Sequence, residues 1–256
     1  NVNEGGSTDT ATAGSITLSG ASLGTSTGTP QTLALGSGTG GAASVGGMLN
    51  LTATAGNIFV SSDAALRVKD ITTQAATANT VDIRTTGGKA IVFDSTGTYT
   101  NVSGSGTANN GDAITVVTDT TGGTVTFNKA LDAGSITVNA GDAVVVNQNL
   151  STTAVNTSGG GAGTNAVSGG VTLTAAGSIS GAGTISTGAA TADDANTGGT
   201  STTASSGAIS LTGTGANVQL GKLTTGAATV SNVNEGGSTD TATAGSITLS
   251  GASLGT

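Results

Sequence analysis

NVNEGGSTDTATAGSITLSGASLGT occupies residues 1–25, and the same 25 letters return at residues 232–256. The two copies are offset by 231 positions, so the 256-residue chain reads as one unit, 1–231, followed by the start of an identical unit. Self-similarity at a fixed period is a signature of repeat architectures, in which each unit buries its apolar side against a neighbour. The expectation is a single continuous segment over 1–256, cut from a longer tandem array.

Inside the string lies the pair Ile16 and Leu18, two aliphatic residues separated by one polar residue. Two positions apart in a strand means the same face. Comparable pairs recur as Leu49 with Leu51, Val81 with Ile83, Ile114 with Val116, Ile136 with Val138, Val171 with Leu173, Ile209 with Leu211, and Ile247 with Leu249. Their first members stand at intervals of 33, 32, 33, 22, 35, 38 and 38, which fills one unit with seven coils. Two positions before each pair stand Gly14, Gly47, Asn79, Asp112, Gly134, Gly169, Gly207 and Gly245. Gly, Asn and Asp tolerate positive φ best, so a left-handed corner is expected before each strand.

A second strand follows within most coils, as at Ile58 with Val60, Ile91 with Phe93, Val125 with Phe127, Val144 with Val146, and Val218 with Leu220. A third begins near Leu131, Leu150, Ile185 and Leu223. The pattern predicts an all-β parallel solenoid with about three short strands per coil and coil lengths between 22 and 38. The predicted core is the series of paired aliphatics. The longer coils carry Gly/Ser/Thr/Ala stretches, such as 188–207 and 226–245, read as loops projecting from one corner.

Composition fits a thin fold. The chain has 45 Gly, 3 Phe, 1 Tyr and no Trp, and only 8% of it is charged. Disorder goes with high charge and low hydrophobicity, yet mean hydropathy here is +0.15. A net charge of −8 disfavours nucleic acid and anionic membrane surfaces. No apolar run reaches the length of a membrane span. Without His or Cys, the usual nucleophilic triads and thiolate or imidazole metal sites are excluded.

Strings such as AGSITLSGASLG, AAGSISGAGTISTGAAT and SGAISLTGTGANVQLGKLTTGAAT resemble the filamentous haemagglutinin-like family of bacterial surface proteins. The resemblance runs along essentially the whole chain. It implies a right-handed parallel β-helix, export to the bacterial cell surface, and an adhesive or structural role. The partners it implies are adjacent repeats, neighbouring fibres and a surface or glycan target. The secretion domain of that family is not in these residues.

Further readings follow from particular residues. Arg67, Lys69, Asp70, Asp82 and Arg84 form the one mixed-charge cluster, which would suit a polysaccharide-processing solenoid. Asp193, Asp194 and Asn196 are oxygen donors for calcium, although the calcium-binding nonapeptide of solenoids is missing. The outward series Thr17, Asn50, Asp82, Thr115, Thr137, Thr172, Ser210 and Thr248 would form a ladder of the kind ice-binding solenoids display, broken by Asn50 and Asp82. Phe59 has the opposite parity to Ile58 and Val60, which makes it the candidate lateral contact if exposed. Apart from calcium, no cofactor is expected.

Overall fold

An apolar side that a single coil cannot bury is buried here by the coil above it. The computed structural model of the chain describes residues 15–33, 48–75, 77–104, 111–120, 122–159, 165–194, 201–231 and 240–255. Among these residues every named element is a β-strand. The strands pair in parallel, within one 15-stranded sheet, one 4-stranded sheet and two 3-stranded sheets. Parallel neighbours need a crossover, and the rest of each coil supplies it. The arrangement is consistent with a β-solenoid.

Three columns of strands run up the stack. The first carries Leu23, Ile58, Val81, Ile114, Ile136, Val171, Ile209 and Ile247, each in register with the next. The second carries Leu66, Ile91, Val125, Val144, Ile179, Val218 and Leu254. The third carries Leu131, Leu150, Ile185 and Leu223. Most of these side chains are fully buried, and together they form one continuous core. Each such aliphatic contributes about 1.5–3 kcal/mol relative to exposure. The core's largest side chains stack directly. Phe93 lies over Phe127 with ring centroids 4.7 Å apart, and Tyr99 meets Phe93 edge-on at 6.1 Å.

The expected series of pairs slips once. Ile16 and Leu18 pair with Leu49 and Leu51 as the spacing suggests. Leu49, however, pairs onward with Val68 and not with Val81. Val81 and Ile83 instead sit on Ile58 and Val60. Ile16 and Leu49 therefore belong to the second column and Val81 to the first. Between Leu49 and Val81 the chain completes one short coil and part of another, where a single long coil was expected. Identical residues consequently occupy different columns at the two ends, Ile16 in the second and Ile247 in the first.

From Val81 upward the register is continuous. Val81, Ile114, Ile136, Val171, Ile209 and Ile247 stack in turn, and beside them Ile83, Val116, Val138, Leu173, Leu211 and Leu249 do the same. Val116, Val138, Leu173 and Leu211 are fully buried. The final pair is not core. Ile247 is 44% and Leu249 37% exposed, because they form the outermost layer. Ile16 and Leu18, at the opposite end, are half-buried.

The described corner residues do not take positive φ. Gly14 and Gly47 lie outside the described residues. Asn79, Asp112, Gly134, Gly169, Gly207 and Gly245 are all absent from the left-handed positions, which among the described residues fall at Asn101 and at eight other glycines. Close approach explains the glycines instead. A Cβ on Gly169 would lie 1.8 Å from the Gly134 carbonyl oxygen. On Gly207 it would lie 1.9 Å from that of Gly169, and on Gly245 1.9 Å from that of Gly207. The coils stack backbone on backbone at this corner. Where the column lacks glycine, Asn79 and Asp112 bond to each other. The Asn79 N–H donates to Asp112 Oδ1 at 2.8 Å, and its Nδ2 donates to the same oxygen at 3.1 Å.

The long insertions carry strands of their own. Val155–Gly159, Ala190–Asp194 and Ala228–Ser231 form one 3-stranded parallel sheet. Asn165–Val167, Thr203–Ser205 and Thr241–Thr243 form another. Val155, Ala166, Ala190, Ala192 and Ala204 pack between them as a second, smaller core. Alanine permits two such short strands to face each other closely. The insertions are therefore arms stacked in register, not projecting loops.

Candidate functional site

Each arm joins the body through a neck, and the neck is held by hydroxyl groups. Thr152, Ser168, Thr187 and Ser206 donate to the carbonyls of Gly169, Gly188, Gly207 and Gly226 at 2.6–2.8 Å. The same hydroxyls accept the N–H groups of Gly188, Gly207, Gly226 and Gly245 at 2.8–3.0 Å. The result is a zigzag that climbs the stack, crossing the neck at each step. All four hydroxyl residues are buried. A buried hydroxyl or amide without a partner is costly, and here each one serves its neighbour. Glycine is required on both sides of the neck, since a Cβ on Gly226 would lie 2.2 Å from the Gly188 carbonyl oxygen.

The mixed-charge cluster is not assembled. Arg67, Lys69 and Asp70 lie on Leu66–Thr72, which pairs with Met48–Ala53 and Ile91–Thr100. Asp82 and Arg84 lie on Thr80–Thr85, which pairs with Ile58–Ser62 and Ala113–Val117. Two separate ion pairs result. Arg67 bonds to Asp94. Arg84 forks onto Asp82 within its own strand, Nε to Oδ1 at 2.5 Å and Nη2 to Oδ2 at 2.8 Å. The bond to Asp82 raises the Arg84 guanidinium further. Burial works to raise the Asp94 carboxyl, but the Thr96 hydroxyl and N–H and the Arg67 guanidinium outweigh it, so Asp94 is lowered. Asp70 accepts the Thr98 N–H at 2.9 Å.

Asp112 is a carboxylate buried at the corner. Burial pushes it upward, against the opposing influence of the nearby Thr73 hydroxyl and the hydrogen bonds from Asn79. Its Oδ2 has no well-formed hydrogen bond. A groove of 380 Å³ opens beside it, lined by alanine, asparagine, threonine, serine and glycine, with no ionisable side chain.

The paired aliphatics bring no functional group to a surface. Val116, Val138 and Leu173 stack on one another inside the core and line neither this groove nor a second one of 220 Å³ at the Leu254 end. They are core residues only, and their part is to hold Thr115, Thr137 and Thr172 in line on the outer face. Leu211 and Leu249 do border the second groove, Leu249 in the last described layer and Leu211 directly beneath it.

The residues read as calcium donors are employed otherwise. The Ser231 hydroxyl donates to Asp193 Oδ1 at 3.0 Å, tying one arm to the next. The Asp194 backbone pairs with Gly159 in the arm sheet, and Asn196 lies outside the described residues. Among the described residues no three acidic side chains converge. Phe59, read as a lateral contact, is only 8% exposed despite its outward parity, and it stands in register below Asp82. Above it the outward ladder runs Asp82, Thr115, Thr137, Thr172, Ser210, Thr248 in unbroken register. Thr17 and Asn50 belong to the other column, where Asn50 Nδ2 donates to Thr17 Oγ1 at 3.4 Å.

Comparison with protein families, characterised proteins and solved structures finds no match.

Proposed function

We propose that this chain is a segment of a structural or adhesive extracellular fibre, coiled as a right-handed parallel β-helix like the filamentous haemagglutinin-like surface proteins. The observation that supports this best is the 25-residue string repeated letter for letter at residues 1–25 and 232–256. Ile247, Leu249 and Leu254 are 44%, 37% and 51% exposed on the last described layer. A hydrophobic layer with open strand edges pairs with a strand that continues the pattern, and an exact repeat supplies such a pattern. The outward ladder on the body is mostly threonine and serine, suited to a passive face rather than to bond chemistry. The rod fixes distance, and the arms present a surface along one side.

Electron microscopy of the native material with helical averaging tests this reading. A layer spacing of ~4.8 Å is expected, with a long repeat of ~34–38 Å for seven to eight steps. Discrete compact particles without that spacing would overturn it.

A further inference from the structure

The string ITLSGASL is present at 16–23 and again at 247–254, and the two copies lie in different columns. In the first copy, Ile16–Gly20 stands in the second column under Met48–Ala53, and Leu23 stands in the first column under Ile58. In the other, Ile247 and Leu249 stand in the first column on Ile209 and Leu211, and Leu254 stands in the second on Val218. One copy shows what the string carries above it. The other shows what it rests on.

The main-chain groups of the two copies agree. Gly20 and Leu23 turn theirs upward. The Thr54 N–H donates to the Gly20 carbonyl at 3.0 Å, the Leu23 N–H to the Asn57 carbonyl at 3.0 Å, and the Phe59 N–H to the Leu23 carbonyl at 2.6 Å. In the upper copy, the Ile209 N–H donates to the Ser246 carbonyl at 2.8 Å, and the Gly255 N–H donates to the Val218 carbonyl at 3.0 Å. By alternation along a parallel strand, the groups of Ile247 and Leu254 then face upward, as those of Gly20 and Leu23 do. The side chains agree as well. Leu23 under Ile58 is 7% exposed, whereas the equivalent Leu254 is 51% exposed. Neither the string nor the strands MLNLTA and IFVSS that cover it at the lower end carry a charge.

We propose that the Ile247–Leu254 layer is the docking surface for a further unit of the same sequence, seating that unit's Met48–Ala53 strand on Ile247–Gly251 and its Ile58–Ser62 strand on Leu254. The inference rests on the tandem-fibre reading and adds the geometry of the joint. The first column of one unit continues as the second column of the next, and the second as the first. Step counts fit this exchange. The first column rises seven steps from Leu23 to Ile247. The second rises eight from Ile16 to Leu254. A unit therefore does not hold a whole number of coils. The arms leave on the return to the first column, as between the third-column strand Leu150–Thr152 and the first-column strand Val171–Ala175. Exchange of columns moves that return to the other side of the rod. The arms stand on one side within a unit and on opposite sides in successive units.

The chain has no cysteine, so introduced pairs report the register directly. The column change requires Thr52 to sit beside Thr72. Thr52→Cys/Thr72→Cys is expected to close a disulfide in the 256-residue chain, and Thr52→Cys/Arg84→Cys is not. Closure of the Arg84 pair would put Leu49 under Val81, keep both copies of the string in one column and overturn the proposal. Asn50→Cys/Asp82→Cys reads the same alternative if the Arg84 variant does not fold. Helical averaging of the native fibre then reads the joint itself. An axial repeat of ~72 Å is expected, two units of ~4.8 Å layers with arms on alternate sides. Layers of that spacing with the arms in single file and a repeat of ~36 Å would keep the fibre reading and overturn the exchange. Absence of the layers would overturn both.

Discussion

The Thr187 hydroxyl donates to the Gly207 carbonyl at 2.8 Å and accepts the Gly226 N–H at 3.0 Å, so one side chain joins two segments of the next coil. Thr187→Val keeps the shape and removes both bonds. It leaves a buried donor and a buried acceptor unpaired, each worth about 1–3 kcal/mol. A loss of about 2–4 kcal/mol is expected in urea unfolding, with faster hydrogen exchange at the Gly226 amide. Thr187→Ser keeps the hydroxyl and should cost less than about 1 kcal/mol. Equal losses for Val and Ser would refute the role given to the hydroxyl.

Gly207 and Gly87 make opposite demands. A Cβ at Gly207 would lie 1.9 Å from the Gly169 carbonyl oxygen, whereas one at Gly87 would meet nothing within 4 Å, although its φ is +64°. Gly207→Ala must push two coils apart and should cost at least the ~1–3 kcal/mol of overpacking. Gly87→Ala strains only the backbone, by about 1–2 kcal/mol. Thermal unfolding of the two variants decides between steric contact and φ as the reason for the glycine corner.

The stacked pair Phe93 and Phe127 joins the two largest fully buried side chains of the core. Phe127→Ala should cost about 3–5 kcal/mol. Because stability passes between neighbouring coils, exchange should accelerate first in the layers around Val125 and Val144, before the arm strands. Uniform acceleration along the whole chain would contradict that local coupling.

Asp112 links stability to pH. Burial raises its carboxyl above the unfolded value of about 3.9. The ionised group is therefore worse accommodated folded than unfolded. Its penalty starts as pH rises through the unfolded value and is complete above the folded one. Asp112→Asn keeps an acceptor for Asn79 and offers Thr73 a donor. It should stabilise the chain at pH 7, and the gain should vanish below about pH 4. A gain that is constant with pH would show that the charge is not responsible.

Much of this architecture is visible in the residues. Alternating aliphatics place the strands, and the column from Val81 to Ile247 follows from their order alone. The slip below Val81 was hidden because the interval from Leu49 to Val81 has the same length whichever way the coils are divided. The arms were hidden for a different reason. Their cores are Val155, Ala166, Ala190, Ala192 and Ala204, a composition that looks like loop until two sheets face each other. A readable signal for the necks does exist. Gly169, Gly188, Gly207, Gly226 and Gly245 fall at one constant interval, and four of them follow Ser or Thr. That regular beat marks alternate crossings of the neck. Phe59 shows the limit of parity, since strand alternation says which way a side chain points and not what covers it.

Val144 follows Val125 in its column, and Ile209 follows Val171 in its own after twice as much chain, yet each step advances one strand width. Contour length and reach are therefore decoupled. Residues inserted into or deleted from an arm alter the mass carried at that height and leave the height itself unchanged. Such a chain can change what an arm carries while every residue farther along keeps its axial position.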